Sequence, residues 1–165
     1  MFTVFQGAIM RDNEISSGGK PATGVPDVSR KNTLDEEEFE RLSKHATVYD
    51  GLLQVVRSAY FGQIRFQYWW GNGGAMFYCY AKQYKINDPD EQGRHKANIH
   101  FSFDSIQWWG VDSPDSMRQD DQWNSWAVGG YIEANKRARV YVRFRFDLPF
   151  DDEEESNSRY FNYPG

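Results

Sequence analysis

Three polar residues in alternation, His100-x-Ser102-x-Asp104, come nearest in this chain to catalytic machinery. A histidine base, a hydroxyl nucleophile and an orienting carboxylate are the ingredients of acyl transfer. Alternation along a strand puts all three on one face, yet it spaces neighbours about 6.5–7 Å apart at Cα, whereas a triad needs contacts of about 3 Å. Serine, not histidine, holds the middle position, and no nucleophile elbow or oxyanion loop accompanies the set. The run reads as polar residues on a solvated strand face, with His100 or Asp104 able to act as acid or base only inside an enclosing pocket. His45 and His95 show no metal-binding spacing.

A second set offers recognition. In "FQYWWGNGGAMFYCYAKQY" (66–84) the rings crowd around Asn72-Gly73, a type I′ hairpin signal. Closing that turn pairs Gly71 with Gly74, Trp69 with Met76, Tyr68 with Phe77, Phe66 with Cys79 and Ile64 with Ala81. One face then collects Ile64, Phe66, Tyr68, Phe77, Cys79 and Ala81 as core. The other collects Arg65, Gln67, Trp69, Met76, Tyr78, Tyr80 and Lys82, and a neighbouring strand "ANIHFSFD" would add His100, Ser102 and Asp104 to it.

Exposed rings beside fixed donors and acceptors suit a glycan, whose C–H faces stack while its hydroxyls hydrogen-bond. They suit a quaternary ammonium or a flat aromatic ligand as well. The competing reading is that another sheet, a helix beginning near Leu34, or a second subunit covers the rings.

A cationic stripe, Lys136, Arg137, Arg139, Arg143 and Arg145, could hold a carboxylate, sulfate or phosphate. Pairing of Arg139 with Glu133, and a fold-back of the acidic run 151–155, would mask it. The loop Asp88 to Gly93 opens like a calcium loop, but its twelfth position is Ile99, where a bidentate Glu is required. Acids at 112, 115, 120 and 121 read better as turn residues than as a cruder calcium site. A single cysteine excludes an intrachain disulfide and a multi-cysteine metal cluster. No cofactor is expected. Trp126 has core parity, while Trp109 and Trp123 flank the Asp-rich loop as exposed rings or as lids on the core.

The elements that position these residues follow from local signals. A strand is expected over 2–9 and a long loop or arm over 11–32. Thr33, with Glu36 three residues on, reads as a capping box opening a helix over 34–45. Asp50-Gly51 marks either a hairpin within 47–57 or a continuing helix. Strands follow at 63–70, 75–86, 97–105, 126–134 and 138–147, the last two forming a hairpin around 135–137, and 148–165 is an acidic, aromatic tail.

With 165 residues, 17% of them aromatic, the chain fits a single domain over 1–165 that is mostly β. The expected fold is an antiparallel β-sandwich or open barrel with one short N-terminal helix, and the alternative is an α+β cone plugged by that helix. A net charge of −5 argues against a surface built for nucleic acid. No leader or spanning run is visible, which predicts a soluble, cytoplasmic chain without a transmembrane segment, though exposed tryptophans leave peripheral membrane contact open.

The expected function is non-catalytic binding of a glycan or small polar ligand by Trp69, Tyr78, Tyr80, Arg65, Gln67, His100 and Asp104, with Arg139, Arg143 and Arg145 as an anion site. Two alternatives stand beside it. One is a self-assembling coat, filament or inclusion component whose aromatic face joins subunits into a homo-oligomer. The other is a small enzyme using His100 or Asp104 inside a cone.

Overall fold

Period-two alternation, broken by bulges in a few places, marks most of the ten strands, and their inward residues meet as the facing layers of an antiparallel β-sandwich. The computed structural model describes residues 32–165. The elements are β1 (Thr33–Leu34), α1 (Glu36–Ser43), β2 (Tyr49–Arg57), β3 (Tyr60–Gly71), β4 (Met76–Ile86), β5 (Arg94–Asp104), β6 (Trp108–Asp112), β7 (Met117–Gln119), β8 (Asn124–Glu133), β9 (Arg137–Phe146) and β10 (Glu153–Asn162). One sheet has the order β1-β8-β4-β3-β2; the other has β10-β9-β5-β6, with β7 paired to β5, and the strands do not close into a barrel. The expected strand over 2–9, and all of the expected arm but Asn32, lie outside the described residues.

The core is the seam between the sheets. Ile64, Phe66, Phe77 and Cys79 of the first sheet face Phe101, Phe103, Val142 and Phe144 of the second, all of them buried. Each such Phe or Ile contributes about 1.5–3 kcal/mol relative to exposure. Gly62 on β3 makes the room for Phe144, whose ring would lie 2.5 Å from any Cβ placed there. Burial pushes the Cys79 thiol well above its ordinary range, so it behaves as a small apolar side chain.

The structure corrects several local expectations. The helix is capped by Asp35, whose carboxylate accepts the Glu38 N–H at 2.7 Å, a cap worth about 1 kcal/mol. Thr33 instead lies in β1 and accepts the Trp109 indole N–H at 3.1 Å. Asp50-Gly51 makes no turn: β2 runs through it, and the chain reverses after Arg57, where Ser58 has φ 53°. Gly51 is needed for packing, because a Cβ there would stand 2.2 Å from the Phe66 ring.

The β3–β4 turn is longer than a type I′ pair. Asn72, Gly73 and Gly74 all have positive φ, so Gly71 pairs with Met76, Trp69 with Tyr78 and Phe66 with Ala81, a slip of two residues, and a bulge next to Phe66 then sets Ile64 against Tyr84 instead of Ala81. An even slip preserves side-chain parity, so the division of the rings into two faces survives it.

The largest correction concerns 126–147. β8 and β9 do not form a hairpin: β8 pairs β4 in the first sheet and β9 pairs β5 and β10 in the second. Both strands keep their inward faces on the core, and residues 134–136 carry the chain from one sheet to the other, with Lys136 at φ 61°. The C-terminal tail is also an element, β10, running antiparallel to β9 from Glu153 to Asn162.

Candidate functional site

The sandwich separates two groups of residues that the sequence places on one face. β4 has β3 and β8 as neighbours, whereas β5 lies in the opposite sheet. Trp69, Tyr78, Tyr80, Arg65 and Gln67 therefore line the outside of the first sheet, and His100 and Asp104 the outside of the second. The cause is core complementarity: Ile99, Phe101 and Phe103 align with Phe144, Val142 and Val140 of β9.

On the first sheet, the chain's own helix covers most of the aromatic set. Trp69 is 4% and Tyr80 1% exposed, in a second cluster with Leu34 and Phe39. Phe39 stacks on Tyr80 at 4.3 Å between ring centroids and lies 4.8 Å from Trp69, which stacks in turn on Tyr78 at 4.9 Å. Lys82 ties the helix down by donating to Glu40 at 2.7 Å. Burial, reinforced by Glu36, Asp35 and Glu40 nearby, pushes the Tyr80 hydroxyl up to about 12. Tyr80 is thus an interior residue, not a ligand-facing one.

What α1 leaves open falls on either side of it. On one side a groove of about 570 Å³ is bordered by Arg65, Gln67, Asp50 and Lys82. The Arg65 guanidinium lies 3.7 Å above the Trp123 ring, and Gln67 donates to Asp50 at 3.2 Å, so these polar groups partly satisfy one another.

On the other side, beyond the C-terminal end of α1, a hollow of about 520 Å³ is walled by Tyr49, Trp69, Trp70, Tyr78 and Tyr163, with His45 at its margin. Burial raises the Tyr78 hydroxyl above its ordinary range. Among the described residues, the Trp70 indole nitrogen is the only buried side-chain polar atom without a hydrogen-bond partner.

Sequence reasoning missed Tyr49, Trp70 and Tyr163. Trp70 has core parity and packs on Phe77 at 4.8 Å, and Tyr163 reaches it only because β10 returns beside β9. The signal available was the ring content of the C-terminal run, without any means of placing it.

On the second sheet, His100 stands opposite Arg143 and Asp104 opposite Arg139. His100 Nδ1 is 2.7 Å from Asp112 Oδ1, a partner the expected triad did not include. Ser102 is buried beside Gly110, over which the Trp108 ring lies; a Cβ on Gly110 would stand 2.3 Å from that ring and 3.0 Å from Ser102 Cβ. A buried Ser102 leaves the His-Ser-Asp run without a presented nucleophile.

The acidic run 151–155 folds back onto Arg143 and Arg145 as expected, whereas Arg139 takes a different partner. Arg139 donates to Asp104 at 2.9 Å instead of Glu133, Arg145 to Asp152 at 3.1 Å, and Arg143 sits 3.8 Å from Glu154. Trp109 is buried, stacked on Phe103 at 4.9 Å, and is no exposed anchor. No cluster of three or more His, Cys, Asp and Glu suited to a metal occurs among the described residues. Nor is any helix among them long and apolar enough to cross a membrane.

No family model, no curated protein and no solved structure matches this chain.

Proposed function

We propose that this chain is a non-catalytic binding protein that takes a glycan or a similar small polar ligand in the aromatic hollow beside α1. The observation that carries the reading is the Trp70 indole N–H, a buried donor without a partner, on a residue that lines the hollow together with four further aromatic side chains, Tyr49, Trp69, Tyr78 and Tyr163. A buried unpaired donor costs roughly 1–3 kcal/mol, a cost that a ligand acceptor would relieve. Tyr49, Trp69, Tyr78 and Tyr163 supply ring surface for C–H faces, and their edges carry hydroxyl and indole donors that fix orientation. Arg65 and Gln67, across the helix, extend the polar surface to a ligand longer than one ring.

Trp70→Phe keeps the ring and removes the donor. On a glycan array and in titrations followed by tryptophan fluorescence it should weaken binding roughly two- to tenfold, as expected for one neutral hydrogen bond. Tyr163→Ala, which strips a wall, should weaken it further. Silence of the wild-type chain across glycans and small polar ligands sinks the reading.

Self-association is the second reading, and one observation favours it. Leu52 and Val56, on edge strand β2, are 48% and 57% exposed and point outward together. Light scattering separates the two, since a monomer at high concentration counts against assembly.

A further inference from the structure

The second sheet carries a row of chemistry that the binding reading above does not use. Across three adjacent strands, the register sets Arg143 of β9, His100 of β5 and Asp112 of β6 side by side. Strand spacing places the outer two about 10 Å apart at the backbone, with the imidazole between. They border a hollow of about 630 Å³ that Asn98, Asp115 and Arg145 also line.

Two of these groups are loosely held or unpaired. Arg143 makes no hydrogen bond to the described residues, and its nearest carboxylate, Glu154, stands 3.8 Å away with both side chains more than two-fifths exposed. Asp115 has no hydrogen bond or ion pair with the described residues. The Arg143 guanidinium and the Asp115 carboxylate thus line one hollow without an ion pair between them. His100 is held between them by Asp112, which accepts from Nδ1 and leaves Nε2 uncommitted, and the rings of Trp108 and Tyr141 stand beside it at 6.3 and 6.0 Å.

Charge decides the class of ligand. A simple anion drawn to Arg143 and Arg145 would meet Asp112, Asp115 and Glu154 in the same hollow, and a simple cation would meet both arginines. A small molecule with opposite charges at its two ends complements both banks. We propose that this row binds a free α-amino acid, its carboxylate taken by the Arg143 fork, its ammonium by Asp115, and its side chain lying along His100. The site lies on the opposite sheet from the aromatic hollow and does not depend on it.

The test is calorimetric titration of the full chain with a panel of free amino acids, with acetate and ethylammonium as singly charged controls and the His100 ring resonances followed by NMR. Binding by amino acids alone, with the His100 signals shifting, is expected. Arg143→Gln and Asp115→Asn, both surface changes, should each weaken binding by roughly tenfold or more while leaving the melting temperature unchanged. Trp70→Phe should leave it unaffected, which keeps the outcome separate from that of the glycan reading. Acetate binding as tightly as any amino acid, no heat up to about 10 mM, or variants indistinguishable from wild type overturns the proposal.

Discussion

The outer face of the first sheet carries Trp69, Tyr78, Tyr80 and Tyr131 and is roofed by α1, whereas that of the second carries Arg139, Tyr141, Arg143 and Arg145 and is laced by ion pairs to β5 and β10. Both faces alternate correctly, and both belong to five-stranded antiparallel sheets. They differ in what each needs from the rest of the chain. Rings outside a sheet leave apolar surface in water, and an apolar helix face is the nearest cover. Charged side chains outside a sheet keep their hydration and need only neighbours of opposite sign. A hollow then arises on the first sheet at the edge of the cover, and on the second among the charged side chains themselves.

The largest effect should come from removing the roof. Phe39 is fully buried between Trp69 and Tyr80, and Phe39→Ala should cost about 3–5 kcal/mol in urea unfolding. A loss below about 1 kcal/mol would mean that α1 rests on the sheet without being part of the fold.

Titration gives an intermediate effect. The Tyr80 hydroxyl ionises near 12 in the folded chain against an ordinary 10, so the unfolded state gives up its proton first as pH rises. Stability is therefore unaffected by this group below about pH 10 and falls between about 10 and 12. Phenolate absorbance should show Tyr80 among several tyrosines that burial makes titrate late, Tyr68, Tyr78 and Tyr84 being the others, and Phe39→Ala should bring Tyr80 back toward 10. An unchanged late titration in Phe39→Ala would remove the roof as its cause.

The smallest effect belongs to the second sheet. Arg139 and Asp104 form a partly exposed pair, and Arg139→Ala should cost about 1 kcal/mol or less, shrinking further in high salt. A loss comparable to that of Phe39→Ala would erase the distinction between the two faces.

Much of this architecture is legible residue by residue. Phe66, Tyr68 and Phe77 sort from Trp69, Tyr78 and Tyr80 by parity alone, and that division holds although the turn at Asn72 is longer than expected. The helix is legible from its acidic first turn, though the choice of Asp35 over Thr33 as its cap is not, because both residues can cap and only the packing of Trp109 engages Thr33. Misplacement of the 126–147 pair has a similar origin. Two alternating strands joined by a tight connection satisfy a hairpin and a sheet-to-sheet crossing equally well, and the crossing wins here because β4 and β5 each need a partner. The candidate sites were less legible still, since His100 meets Asp112 and Trp70 meets Tyr163 across strands whose adjacency is not encoded locally.

The sequence by itself determined which side chains point inward, where the helix lies and which rings share a face, because the two-residue period of a strand and the chemistry of helix starts act over a few neighbours. Only the tertiary structure decided which strand lies beside which, what covers the rings, and which charges meet. Those choices come from competition among long-range pairings that all satisfy the same alternation, and the burial of whole faces against one another settles it.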